Sequence, residues 1–340
     1  MEPVTQALLG ATIGEACFGR ELGGQAALWG ALGGLLPDVD VFLSAFDPMA
    51  EFLYHRGPTH ALWFGPCVGT LLGYALWWTC GRRAPGMQLA WIGLMVAALL
   101  THPLLDLFTT YGTQLLTPFS HWRFSLDAVP IIDPLYSLSL LLAMLIGWRA
   151  GYGTRAAVAS AWVALALSTV SLFYGVYLNR EAGARARAAL AREGVFASDV
   201  RSYPTMFQVY LRRIVVHDGD EVRIGWLSLW NGREIVWDRF RVDSGPEVDS
   251  LRATHEARVF EWFTSNQTAA RVERRPDGET VVELGDLRYG FPGAPAQPLW
   301  GVRARFDSSG HMLGRVERFR REMPGPAGAV VRELLRATFG

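Results

Sequence analysis

Four of the seven histidines in this 340-residue chain fall within its first 121 positions. Three of these lie in short polar words set into apolar sequence: Pro37-Asp38-Val39-Asp40, His55-Arg56-Gly57-Pro58-Thr59-His60 and Thr101-His102-Pro103-Leu104-Leu105-Asp106. Imidazole and carboxylate are the ligand types of zinc and manganese. Holding them beside membrane-length apolar runs is costly, so their presence there points to a site. His102 and Asp106 are spaced i, i+4, which puts both side chains on one helix face where they can converge on one ion. Alone, that pair is more often a structural hydrogen bond. With His55, His60, Asp38 and Asp40 added, the words supply three imidazoles and three carboxylates, enough for one or two divalent ions. The two aspartates follow a proline that ends an apolar segment. Their plainer reading is a turn and a helix cap; their chemical one places one on an ion and the other on a second ion or behind an imidazole.

Arg56, between two of the histidines, has the planar donor fork that recognises phosphate, so it is a candidate clamp for an anionic oxygen. Its alternative is an ion pair with a nearby acid. Asp127 and Asp133 border a later apolar segment, and Asp133, followed by Pro134, is a candidate base or ligand-orienting group as well as a plain helix start. His121, beside Trp122 and Arg123, reads as interfacial. His217, His255 and His311 have no partner spacing and read as surface or packing residues.

These words need helices to position them. Residues 61 to 80, 88 to 105, 131 to 148 and 156 to 178 are apolar runs near the roughly 20 residues that cross a bilayer, and four transmembrane helices are predicted there. Residues 4 to 18 and 24 to 36 are shorter and rich in small residues. Gly10, Gly14, Gly30, Gly33 and Gly34 predict a tightly packed apolar hairpin. The N-terminus lacks the signal-peptide pattern and is expected to stay in the mature protein. The loops at 81 to 87 and 149 to 155 carry Arg82, Arg83, Arg149 and Arg155 and no acid, which places them in the cytoplasm by the positive-inside rule. Parity then puts the polar words and everything after 179 on the extracytoplasmic side.

Residues 1 to 179 hold 7 arginines and 10 acids, whereas 180 to 340 hold 25 and 22, so the second half reads as ordinary soluble protein. There is no lysine, and the formal net charge is zero, which argues against a nucleic-acid binder. Cys17, Cys67 and Cys80 show no CxxC spacing and read as small core residues. After a linker at 180–199, residues 200–340 alternate with period two in runs at 207 to 216, 222 to 230 and 235 to 242, joined by Asp218-Gly219 and Asn231-Gly232. Such runs predict antiparallel hairpins. An amphipathic helix at 248 to 264 and strands at 269 to 275, 280 to 289 and 300 to 307 complete the reading. The fold class is an α-helical polytopic membrane domain, 1–179, followed by a small α+β domain with an antiparallel sheet.

The membrane half resembles the YdjM family, described as bacterial inner-membrane, metal-dependent hydrolases and linked in some members to the LexA-regulated damage response. The resemblance runs through Val4-Thr5-Gln6, Leu28-Trp29-Gly30-Ala31, the three polar words, Phe108-Thr109-Thr110-Tyr111-Gly112-Thr113-Gln114 and Ile132-Asp133-Pro134-Leu135-Tyr136. Relatives commonly carry His at the position of Gln6 and Ser at that of Ala61, so no ligand role follows for Gln6. What the resemblance implies is a metal site in the bacterial inner membrane.

The leading functional reading is a multi-pass membrane hydrolase. A divalent metal, zinc or else manganese, is held by Asp38, Asp40, His55, His60, His102 and Asp106 and activates water against an ester or phosphoester at the membrane surface. Membrane lipids are then both the surroundings and the expected substrate. The alternative class is a transporter or lipid-handling protein using the same cluster for ions or protons. The inverted repeat common in transporters is not visible in the sequence. A third reading, an anchored interaction module, leaves the clustered His and Asp unexplained.

Overall fold

The computed structural model spans residues 1–340 and describes all but 46–48, 82–85, 295–296 and 323–324. It divides into two compact units, Met1–Val176 and Tyr177–Gly340. Arg82 and Arg83, on which the orientation reading leans, lie outside the described residues.

In the first unit, helices α1 (Pro3–Leu22) and α2 (Gly24–Leu35) form the expected hairpin, turned at Gly23 with φ 57°. Their axes approach so closely that a side chain at Gly10 would overlap the Gly30 carbonyl, and one at Gly34 the Gln6 carbonyl. α2 runs on into an unusually long 3₁₀ segment, Leu36–Ala45, so that Gly24–Leu43 becomes one apolar stretch of 20 residues. After the short α3 (Ala50–Tyr54) come α4 (Phe64–Leu76) and α5 (Gln88–Asp106). Three glycines spaced by four, Gly65, Gly69 and Gly73, bring α4 onto the backbone of α5 at Leu100, Val96 and Ile92. Helices α6 (Pro134–Ala150) and α7 (Arg155–Arg192) follow.

The span at 61 to 80 is shorter than predicted. Its α-helix has 13 residues, about 20 Å of rise, and ends in a π-helical turn, Trp77–Gly81. The residues before Phe64 are drawn instead into the turn that carries His60. Among the described residues, three helical stretches are long and apolar enough to cross a membrane: Gly24–Leu43, Gln88–Asp106 and Arg155–Arg192, with Pro134–Ala150 a shorter apolar helix. Cys17, Cys67 and Cys80, expected as core residues, are instead exposed.

The second unit opens with the end of α7. The stretch read as a linker is helical to Arg192, because Ala182, Ala186 and Leu190, spaced by four, form a stripe buried against Val200, Ile214, Val216 and Leu227. Strands β1 (Asp199–Pro204), β2 (Leu211–Asp218), β3 (Glu221–Ser228) and β4 (Trp237–Arg241) form one antiparallel sheet in sequence order. The expected Asp218-Gly219 turn closes the β2–β3 hairpin, with Val215 opposite Ile224. Period-two alternation sends Ile214 and Val216 to the α7 side and Val215 to a second core with Tyr203, Val222, Ile224 and Leu287.

The predicted helix at 248 to 264 is two, α8 (Pro246–Arg252) and α9 (His255–Phe263), because the Thr254 hydroxyl accepts from the Ala257 N–H and starts a new helix. A second antiparallel sheet, also in sequence order, joins β5 (Thr268–Arg274), β6 (Thr280–Asp286), β7 (Trp300–Phe306) and β8 (Met312–Arg320). The chain ends in α10 (Ala327–Phe339). Strands β1 and β8 and helix α10 are additions to the sequence reading; in β8 the charged run Arg315 to Arg320 masks the apolar alternation.

Candidate metal centre

All three polar words meet in the first unit, each on a different element. Asp38 and Asp40 sit on the 3₁₀ segment, whose Val39 and Phe42 turn outward while the acids turn in. His60 ends a single 3₁₀ turn, Pro58–His60. His102 and Asp106 lie one turn apart at the end of α5, as their spacing requires.

His60 Nε2 is 3.1 Å from His102 Nε2, 3.4 Å from Asp38 Oδ1 and 3.4 Å from Asp106 Oδ2. His102 Nε2 is 3.3 Å from Asp38 Oδ1 and 3.6 Å from Asp106 Oδ2. A tetrahedral ion with bonds of about 2.0–2.1 Å spaces its ligand atoms about 3.3 Å apart. Five edges of this four-atom cluster therefore match one small dication. The other face of each ring is already committed. His102 Nδ1 donates to the Gly34 carbonyl at 2.5 Å, and His60 Nδ1 lies 3.0 Å from the Thr59 hydroxyl and 3.3 Å from Asp40 Oδ2. With Nδ1 protonated, each ring presents an Nε2 lone pair to the other. Two lone pairs at this distance repel unless a cation lies between them, so the donor set fits a metal ion.

The surrounding groups brace this four-atom cluster. Asp40 accepts from His55 Nδ1 at 2.7 Å through one oxygen, and from the Thr59 hydroxyl at 2.7 Å and the Arg56 N–H at 3.1 Å through the other. Its lone pairs are thus spent on the two histidine-bearing turns. Asp38, Asp40 and His55 still form a second group within ligand reach, sharing Asp38 with the first. Arg56 has φ 60°, a left-handed backbone costly for a side chain with a Cβ. That conformation aims its N–H at Asp40 and its side chain inward. The guanidinium lies 3.0 Å from Asp106 Oδ2, donates to the Thr109 hydroxyl at 2.7 Å and stacks 4.7 Å over Tyr111. Gln6 donates to Asp106 Oδ1 at 3.0 Å, and the Met1 amino group also contacts that oxygen.

Asp106, His60 and His102 are fully buried, while the Asp38 side chain is 20% and that of His55 17% exposed, so the cluster opens to solvent past these two residues. Asp133 lies outside both ligand groups. It caps α6, accepting from the Leu135 and Tyr136 N–H groups at 3.0 and 3.2 Å. Asp127, which accepts from Ser125, is likewise outside them, and His121 is exposed with its ring on Gln114.

Several supporting residues escape the sequence reading. Arg123 donates to the carbonyls of Phe52 at 3.2 Å, His55 at 3.3 Å and Gly112 at 2.9 Å, tying the His55 turn to the loop after α5. An arginine in a largely uncharged apolar stretch is the signal that could have found it. The hydroxyls of Thr59 and Thr109 carry no such signal.

The protein YfhP of Bacillus subtilis (strain 168), described as uncharacterized, is 28% identical over 268 residues, covering 77% of this chain and 76% of its own length. No solved structure matches the chain. The sequence profile of the YdjM inner membrane protein family matches residues 1–182, the whole region that builds the cluster, and the chain belongs to that family.

Proposed function

We propose that this protein is a membrane-bound, metal-dependent hydrolase acting on an ester or phosphoester of an amphiphile at the bilayer surface. The observation that carries the reading is the near-tetrahedral set of His60, His102, Asp38 and Asp106 with both imidazoles anchored through Nδ1. These four residues would hold the ion, zinc or else manganese. Bound there, a divalent metal supplies a Lewis acid and lowers the pKa of water toward neutrality.

The chain's own groups complete the site. Asp40 fixes the His55 ring through Nδ1, and the part-exposed imidazole is the group that would exchange a proton with water or the leaving group. Arg56 balances part of the negative charge of three close carboxylates and holds Asp106 in place, so its role is to position the cluster. The anion clamp first read from its sequence position is not the role its buried guanidinium favours. Asp133 serves as a helix cap. An amphiphilic substrate is supported by exposed apolar groups on the elements that build the site: Phe42 on the acid-bearing segment, and Phe119 and Trp122 on the loop whose Gln114 N–H donates to the Arg56 carbonyl. The site is assigned to the extracytoplasmic face on the positive-inside reading.

The test is elemental analysis of protein purified without chelators, paired with phosphorus NMR of phospholipid vesicles incubated with the reconstituted protein. Stoichiometric zinc or manganese, lost in both His60→Ala and Asp106→Ala, together with metal-dependent release of a headgroup or acyl product, is the expected result. A wild-type chain that neither carries nor takes up either metal removes the reading.

A further inference from the structure

The strongest unexplained surface lies in the second unit. Helix α10 buries Val330, Leu334 and Thr338 against the first sheet, in a core with Leu211 and Phe291, and the Ser228 hydroxyl donates to the Thr338 carbonyl at 2.7 Å. The stripe directly beside this buried face is also apolar: Val331, Leu335 and Phe339 are exposed and, at 3.6 residues per turn, fall within about 80° of arc. The exposed Arg332 and Arg336 occupy the adjoining stripe. Trp230, 62% exposed, stacks edge-on to Phe339 at 5.5 Å and to Tyr210 at 5.3 Å, which extends the face onto the β3–β4 connection, where Arg233 is also exposed.

We propose that this face rests in the headgroup layer of the membrane that anchors the protein, with anionic phospholipid as its partner. Two observations select lipid over a protein. Apolar and aromatic groups bordered by arginine are the pattern of a helix lying in a bilayer interface, the rings at headgroup depth and the guanidinium groups on phosphate. The sheet beneath α10 is also tethered close to the bilayer. Leu178 ends the apolar part of α7, and Ala182, about 6 Å further along the helix, is already packed on that sheet. The second unit thus has its own lipid contact, independent of the metal cluster and of its chemistry.

The full chain tests this. With Cys17→Ala, Cys67→Ala and Cys80→Ala, a nitroxide is placed at Leu335→Cys, or at Ser309→Cys on an exposed turn as reference. Each labelled protein is reconstituted in vesicles of phosphatidylcholine with or without phosphatidylglycerol. The label at position 335 is expected to gain access to oxygen and lose access to a water-soluble nickel complex when phosphatidylglycerol is present, while that at 309 stays nickel-accessible. Arg332→Glu with Arg336→Glu should abolish the gain, with circular dichroism unchanged. Equal nickel access at 335 in vesicles and in detergent overturns the proposal. So does dipolar broadening between labels on separate chains, which would make the occupant a second copy.

Discussion

At the scale of single residues, the cluster separates the four groups whose ligand atoms converge from the groups that hold them in place. The imidazole pair is the clearest case: each Nδ1 is anchored, one by a backbone carbonyl and one by Asp40 and Thr59, so each Nε2 is free to ligate. Asp40→Asn keeps the shape but weakens the acceptor behind His55 and His60. It should lower metal affinity by about 10- to 100-fold, measured by competition with a chromophoric chelator, without the complete loss expected of His60→Ala. Arg56→Leu leaves the buried Asp106 without its guanidinium partner. Its thermal midpoint in detergent should fall, reflecting about 3–5 kcal/mol, and added zinc should restore part of the loss by supplying the missing positive charge. A variant as stable as the wild type would mean that Arg56 is a spectator.

At the scale of elements, glycine sets the distances that the site requires. Gly34 lies where α2 meets α1, and its carbonyl orients His102; Gly65, Gly69 and Gly73 set α4 against α5, so that the turn before α4 delivers His60 to the end of α5. Gly69→Leu would drive a side chain into the backbone at Val96. It should destabilise by at least about 1–3 kcal/mol and reduce metal content, read by thermal unfolding and elemental analysis of the same sample. Unchanged metal content would show that helix spacing and site assembly are independent. The exposed Leu71, on the same helix but away from α5, is the control position, where Leu71→Ala should leave both measurements unchanged.

At the scale of the whole molecule, the family membership and the apolar helices make this a membrane protein, with a His/Asp group that could hold a metal in one unit and a two-sheet α+β unit following it. The orientation reading places the second unit outside the cytoplasm. Alkaline phosphatase, active only outside, fused after Gly340 should therefore be active, and a cytoplasmic fluorescent reporter there should be dark. The opposite pair of results reverses the assignment. Removing the metal by dialysis against chelator should lower the thermal midpoint of the first unit, because binding to the folded state alone adds stability.

The three polar words, their order and the i, i+4 relation of His102 to Asp106 were legible in the sequence because composition and helical period are local properties. So were the hairpin turn at Asp218-Gly219 and the close α1–α2 approach, each written in glycine. The division of labour among the acids was not. Asp38 and Asp40 are the same residue two positions apart, and only the long 3₁₀ segment turns one toward the histidine Nε2 atoms and the other behind their rings. Arg56 likewise reads as a clamp until its left-handed backbone is seen to turn the guanidinium inward onto Asp106, and Asp133 as a base until its oxygen is found on helix N–H groups. Which residues gather in this membrane half was determined by the sequence alone. Which atom of each turns into the cluster was decided by tertiary structure, since backbone conformation and contacts between residues dozens of positions apart set that direction.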